Sequence, residues 1–456
     1  MLSSINNYFL SLKKFIIKNE LNFLYFFLLL AIFNNVSHFV RKNLLGDRVD
    51  FWDFHVYWCS ANKFINGINP YGGETIKNCL SQFNFDLYFS YPPIVLKFLS
   101  LLGYFDLNTA KIIWVSIIGC SFFVIIFYLK KIYEIPKIFF FTLLLIFTGG
   151  GLVWGALLAG NISIILYAIL TVGIYYYLKP TKRYIYYLSV SIISLAKFPF
   201  LIFFAMPFFE HGFKYSFIKY SSFPKKDGSD RLSDGYKDTI KVFFYFSLTL
   251  IVYFLQFYFD KELFMSFINS TTSYRGEDFL LIHGTGIGIH GLIDLYQNIL
   301  YQKTNLSFFN PSGYITFLIH LFISGTFFLS AYFLFQSGLF GCSRRNLLRI
   351  TFFIAIFLCC FPRISTYDFF LLIAAFFYIM RNSSMRLLSS NWNCIACLLT
   401  ISVLAIYDSK YPAFVISFFL FLFFYLQIKK KDPFYLDTVI PKKSPLYIKE
   451  LDDDWD

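Results

Sequence analysis

The sequence predicts an all-α polytopic membrane protein: a bundle of about 10–12 transmembrane helices, with short re-entrant or interfacial helices and two large outer loops. Three observations predict it. Of 456 residues, 57% are hydrophobic and only 15% charged, and the mean hydropathy of +0.59 is that of a chain meant for lipid. Apolar runs such as 21–33, 112–129, 242–259 and 315–335 approach the ~20 residues that cross a bilayer. These runs do not alternate, and lipid leaves no water to satisfy open strand edges, so helices are expected rather than sheet.

The basic residues fix an orientation. A net charge of +13 invites a nucleic-acid reading, but the lysines and arginines sit in short clusters between apolar runs. These include Lys13/Lys14/Lys18, Lys130/Lys131, Lys179/Lys182/Arg183, Arg344/Arg345/Arg349 and Lys429–Lys431. That is the positive-inside pattern; the expected partner is the bilayer, not nucleic acid.

Taken in order, residues 1–19 form a cytoplasmic amino-terminal segment and 20–428 the transmembrane domain. The first span, about 20–36, is a retained helix rather than a cleaved signal, because no small-x-small site follows it. Residues 38–91 form the first outer loop. Residues 92–103 are too short to cross and read as an interfacial or re-entrant helix; 108–129 return to Lys130/Lys131. Residues 138–154 go out and 161–178 come back, with Gly149–Gly151 and Gly160 bracketing a short outer connection. Residues 184–209 are broken by Lys197 and Pro199 into two short helices that meet near the outer side. Residues 210–241 are a charged cytoplasmic loop, 242–259 exit, and 260–312 form the second outer loop, with a surface helix over 287–300. Segment 313–335 returns to the basic cluster at Arg344. The runs 350–361 and 369–380 flank a polar break, and two further spans end at a cytoplasmic tail, 429–456. Both ends fall in the cytoplasm.

Polar breaks gather on the outer face. Asp50 and Asp53 stand among aromatic residues just after the first span, where an enzyme at a membrane surface would place a general base. Apolar neighbours raise a carboxyl's pKa, which suits a base near neutral pH. The alternative is that either aspartate caps a surface helix. Lys197 and Arg363 stand beside prolines where apolar segments break, and are candidate ligands for an anionic phosphate. Alternatively Arg363 pairs with Asp368 and Lys197 snorkels. His283, in a glycine-rich loop, is a candidate donor to a phosphate or sugar hydroxyl, or a loop histidine without a role. Its GTGIG surroundings lack the strand and the Lys-Ser/Thr of a phosphate loop. None of the eight cysteines has metal-ligand spacing, and no three-ligand metal set is visible. Cys59 and Cys79 share the first outer loop; an oxidising compartment would permit a disulfide between them, and the sequence leaves the pairing open.

Several short motifs then fall in a familiar order: Asp53-Phe54-x-Val56-Tyr57, Gly67-x-Asn69-Pro70-Tyr71, Tyr91-Pro92-Pro93, Gly160-Asn161-Ile162-Ser163, Lys197-x-Pro199, and Pro362-Arg363 to Tyr367-Asp368. Over about residues 50–375 the chain resembles the family-87 glycosyltransferases, GT-C-type membrane enzymes that include polyprenyl-phosphomannose-dependent α-mannosyltransferases. The spacing of the lysine-proline motif is shorter here than in that family. The resemblance implies a GT-C-like bundle with its active site on the non-cytoplasmic side of a bacterial cell membrane. It implies hexose transfer, of mannose by analogy, from a polyprenyl-phosphate sugar donor to a hydroxyl of a glycolipid or glycan acceptor. Asp53 is then the catalytic base. The substrate-binding set is Asp50, Tyr57, Tyr91, Asn161, Lys197, His283, Arg363, Tyr367 and Asp368. No cofactor is implied, and a divalent metal is neither required nor excluded. The competing reading is a transporter or flippase of a lipid-linked or sugar substrate, for which broken helices are also typical.

Overall fold

A computed structural model of the chain describes residue 33, residues 51–71, 79, 89–133, 152–211 and 234–273, and isolated positions between 300 and 357. The described residues are mostly helical and contain no strand. Helix α1 spans Trp52–Ile65 and α2 Pro93–Leu99, the latter extended by a 3-10 turn over Ser100–Tyr104. Then come α3 (Leu107–Tyr133), α4 (Leu152–Ala159), α5 (Ser163–Tyr177) and α6 (Tyr184–Ala196). A 3-10 stretch over Phe198–Ala205 leads into α7 (Met206–His211), followed by α8 (Asp234–Phe259) and α9 (Lys261–Ser273).

Two helices, α3 and α8, are long and apolar enough to cross a membrane. With 27 and 26 residues each is about 40 Å long, beyond the ~30 Å of bilayer hydrocarbon. Their large apolar side chains are not all covered: Ile112 and Phe123 on α3, and Phe244 and Phe254 on α8, are well exposed. Helix α5 has 15 residues, about 22 Å, so as a helix it falls short of the crossing expected for 161–178.

The core is the packing of α5 between α3 and α6, with α8 on the far side of α6. Small residues permit it. A Cβ on Gly173 of α5 would stand 2.8 Å from the Ser189 side chain of α6. Likewise the 3-10 turn after α2 lies so close to α1 that a Cβ on Gly103 would meet the Ala61 backbone at 2.8 Å. Phe353 and Phe357, one helical turn apart, pack onto Phe203 at 5.7 and 4.7 Å between ring centres.

The helix break expected at Lys197 is present. Lys197 is extended (φ −135°, ψ 100°) and caps α6, and Pro199 opens the 3-10 stretch. Three boundaries differ from expectation. The connection expected between Gly151 and Gly160 is helical, as α4. Helix α8 begins at Asp234 rather than near 242. Its first turns carry charges that read as loop, but Asp238 is buried and paired with Arg183, so the helix extends where hydropathy fails. The segment expected as the second outer loop opens with helix α9, because Phe264 and Phe267 give it an apolar side that packs on Tyr71.

The bundle has two distinct polar ends. At one, the turn at Asn69 and helix α2 meet the junction of α8 and α9. Asn69 donates to the Ser266 hydroxyl at 2.8 Å, the Ile94 amide donates to Gln256 at 2.9 Å, and Lys97 pairs with Asp260. At the other, Arg183 donates to Glu210 at 2.8 Å and pairs with Asp238, Tyr177 donates to Glu210, and Lys241 reaches Asp238 at 3.3 Å. All of Tyr177, Arg183, Glu210 and Asp238 are buried, so their charges survive only because they neutralise one another. Only isolated positions of the expected spans 20–36 and 313–335 are described, and the two spans after Arg386 and the tail 429–456 lie outside the described residues.

Candidate active site

The site is built where α1, the α4–α5 turn and the α6 break converge. Helix α1 starts at Phe51, whose backbone is left-handed (φ 62°), an uncommon setting for an aromatic residue that surrounding structure must hold. Here the hold is a hydrogen bond from the Phe51 amide to the Leu158 carbonyl at 2.8 Å. That contact ties the start of α1 to the end of α4 and sets Asp53 in the first turn of α1.

Directly opposite, Gly160 turns the chain with φ +65°. Its missing Cβ is required twice over: a Cβ would lie 2.8 Å from the Phe51 ring and 3.0 Å from the Phe54 Cβ. Its carbonyl accepts from the buried Trp114 indole at 2.8 Å. The next residue, Asn161, is 3% exposed and has both ends of its amide engaged. Its Oδ1 accepts from the Ser163 amide at 2.8 Å, which opens α5, and its Nδ2 donates to Asp53 Oδ2 at 2.6 Å. The first of these bonds fixes which way the amide points, so the second is a genuine donor to the carboxylate.

The Lys197 ammonium arrives from the α6 break and donates to Ser163 Oγ at 2.6 Å. One turn along α1 from Asp53, Tyr57 is buried; its oxygen accepts from the Ile162 amide at 3.3 Å and it shares a hydrogen bond with the Tyr91 hydroxyl at 3.2 Å. Tyr71 donates to the Tyr91 carbonyl at 2.8 Å, which connects the Asn-Pro-Tyr turn to the same cluster.

Electrostatically, Asp53 is a tuned acid. Burial pushes its carboxyl up to about 6, against the lowering influence of the Asn161 hydrogen bond and the Lys197 charge. Its side chain nevertheless keeps some exposure. A carboxylate hemmed in by protein yet reachable from outside, half-ionised near pH 6, fits proton abstraction from a bound hydroxyl. Burial lowers the pKa of neighbouring His55, and Lys111 lowers it further; His55 therefore stays neutral beside the site at pH 7.

Of the residues singled out in the sequence, Asp53, Tyr57, Tyr91, Asn161 and Lys197 come together. Asp50, His283, Arg363, Tyr367 and Asp368 lie outside the described residues. Asn161 was expected as a substrate ligand; the hydrogen bonds also make it a brace for Asp53. Ser163, the last residue of the Gly160-Asn161-Ile162-Ser163 motif, is the contact between Lys197 and the rest. The spacing of Asn161 and Ser163 ahead of an apolar run is a helix-start signature that would have found it. The disulfide left open in the sequence is formed: Cys59 in α1 is bonded to Cys79, with Cα atoms 6.2 Å apart. Among the described residues no three His, Cys, Asp or Glu side chains converge as metal ligands would.

Comparison with protein-family models, with curated proteins and with solved structures finds no match to this chain.

Proposed function

We propose that the chain is a GT-C-like membrane glycosyltransferase. It moves a hexose, mannose in the first instance, from a polyprenyl-phosphate donor to an acceptor hydroxyl on the non-cytoplasmic side of a cell membrane. The observation that carries this reading is the buried-rim carboxylate of Asp53, braced by Asn161, with the Lys197 ammonium anchored next door on Ser163.

The chemistry follows from the arrangement. Asp53 takes the proton of the acceptor hydroxyl. The freed oxygen lone pair forms a bond to the anomeric carbon as the bond from that carbon to the phosphate oxygen breaks, so the configuration inverts. The polyprenyl phosphate departs as an anion, and Lys197 is the cation in reach to stabilise it. Asn161 holds one carboxylate oxygen and leaves the other for the acceptor. Tyr91, which is partly exposed, offers its hydroxyl for a sugar contact, and the buried Tyr57 holds it in place.

Two features support a non-cytoplasmic site. The Cys59–Cys79 bond adjoins the cluster, and disulfides persist in oxidising compartments. The basic residues Lys130, Lys131, Lys179 and Lys182 lie at the opposite end of α3 and α5 from Asp53 and Ser163, as the positive-inside rule asks. The break at Lys197 also suits a flippase, which would move the lipid-linked sugar without cleaving it. Incubation of the purified protein with a panel of polyprenyl-phosphate hexoses and glycolipid acceptors separates the two. Glycosylated acceptor of inverted configuration supports the transferase; donor that changes leaflet intact supports the flippase.

A further inference from the structure

The end of the bundle remote from Asp53 holds a second arrangement that glycosyl transfer does not use. Lys131, in the last turn of α3, places its ammonium 4.2 Å above the Phe127 ring and 5.6 Å from the Tyr175 ring of α5. Lys179, two residues beyond α5, lies 4.9 Å from that same Tyr175 ring. Two exposed cations from two helices are thus gathered on one half-buried tyrosine. Tyr175 is itself held by Tyr128 and Tyr176, at 5.1 and 5.2 Å between ring centres. No acid occurs in described segments 127–133 or 175–182; Glu134 lies outside the described residues. Arg183 nearby is already neutralised by Glu210 and Asp238. Like charges drawn together by an aromatic ring ask for an anion between them.

We infer that Lys131, Lys179 and Tyr175 form a seat for the phosphate headgroup of an anionic phospholipid. The apolar flank of α3 decides between a lipid and a free anion. Phe127 and Phe123, one and two turns below Lys131, are 48% and 73% exposed, so an acyl chain descending from the seat has an apolar surface to follow. A soluble phosphate gains nothing from that flank. Lysines beside an anionic leaflet attract its lipids individually; the shared ring adds a fixed place for one headgroup. The seat is independent of the chemistry proposed for Asp53.

The test is lipid retention by the full chain in detergent, read by native mass spectrometry during titration with phosphatidylglycerol or phosphatidylcholine. The wild type retains phosphatidylglycerol preferentially. The Lys131→Gln/Lys179→Gln double variant binds it about 30-fold more weakly, the factor that two lysine contacts of ordinary strength supply. Tyr175→Leu weakens it by a smaller factor while leaving both charges. A control that removes two exposed lysines elsewhere, Lys261→Gln/Lys303→Gln, keeps the wild-type preference. Equal retention of the two lipids by the wild type overturns the seat. So does a control that loses as much as the double variant, because the preference then belongs to bulk charge.

Discussion

Asn161 donates its side-chain amide to the Asp53 carboxylate at 2.6 Å, across 108 positions of sequence. This bond joins the first helix to the start of α5. It brings Asp53, the base expected from the sequence, to the α4–α5 turn that the Lys197 break also reaches.

Asp53→Asn is expected to abolish transfer while making the protein more stable at neutral pH. The folded-state pKa of about 6 lies above the ordinary 3.8. Folding therefore favours the protonated acid, and the wild type loses stability as pH rises from about 4 to about 6. Asparagine escapes that loss, and the rise from 3.8 to about 6 bounds the gain at about 3 kcal/mol. Thermal unfolding of both proteins at pH 4 and pH 7.5 checks it. The gap should be larger at pH 7.5.

The pH profile of transfer should fall on its acid side with an apparent pKa of about 6. Asn161→Ala removes a bond that lowers the Asp53 pKa, so the limb should move to higher pH with little change in donor KM. Lys197→Met should move it the same way and also raise donor KM, since the ammonium serves the leaving phosphate as well. Steady-state rates from pH 4.5 to 8.5 distinguish these outcomes.

Gly160→Ala should cost at least about 1–2 kcal/mol, because the left-handed backbone penalises any Cβ and the Phe51 ring has no room for one. The damage should reach activity, since Phe51 anchors the helix that carries Asp53. Chemical denaturation together with the transfer rate measures both effects.

Much of this site was legible in the sequence because it is local. An acid among aromatic residues, a Gly-Asn turn and a lysine beside a proline each announce a break in an apolar chain. Their order along the chain supplied the rest. Illegible were the contacts that depend on burial. Asp238 looks like loop until Arg183 neutralises it, which is why α8 starts eight residues early. Helix α9 is polar enough to read as loop until Tyr71 covers its apolar side. The sequence marks Ser163 only as a helix start; its role comes from the Lys197 ammonium that reaches it.

Arg183→Ala should be the most destabilising single change at the remote end, by about 3–5 kcal/mol, because it leaves the buried Glu210 without its cation and Asp238 with only the partly exposed Lys241. The pH limb of any surviving activity should stay where it is. A shift of that limb would mean that the two ends are coupled.

Loss of the Cys59–Cys79 bond, which closes a loop of about 20 residues, should lower stability by about 3 kcal/mol. Unfolding of Cys59→Ser/Cys79→Ser beside the wild type, both without reductant, measures it.

The most direct measurement reconstitutes wild-type and Asp53→Asn protein in liposomes with a labelled polyprenyl-phosphate mannose and a glycolipid acceptor, and follows labelled product. The expected result is transfer by the wild type, and a folded Asp53→Asn protein that still retains donor but forms no product. Product from Asp53→Asn at the wild-type rate would contradict the assignment of the base. No product from the wild type with any hexose donor would contradict the transferase itself.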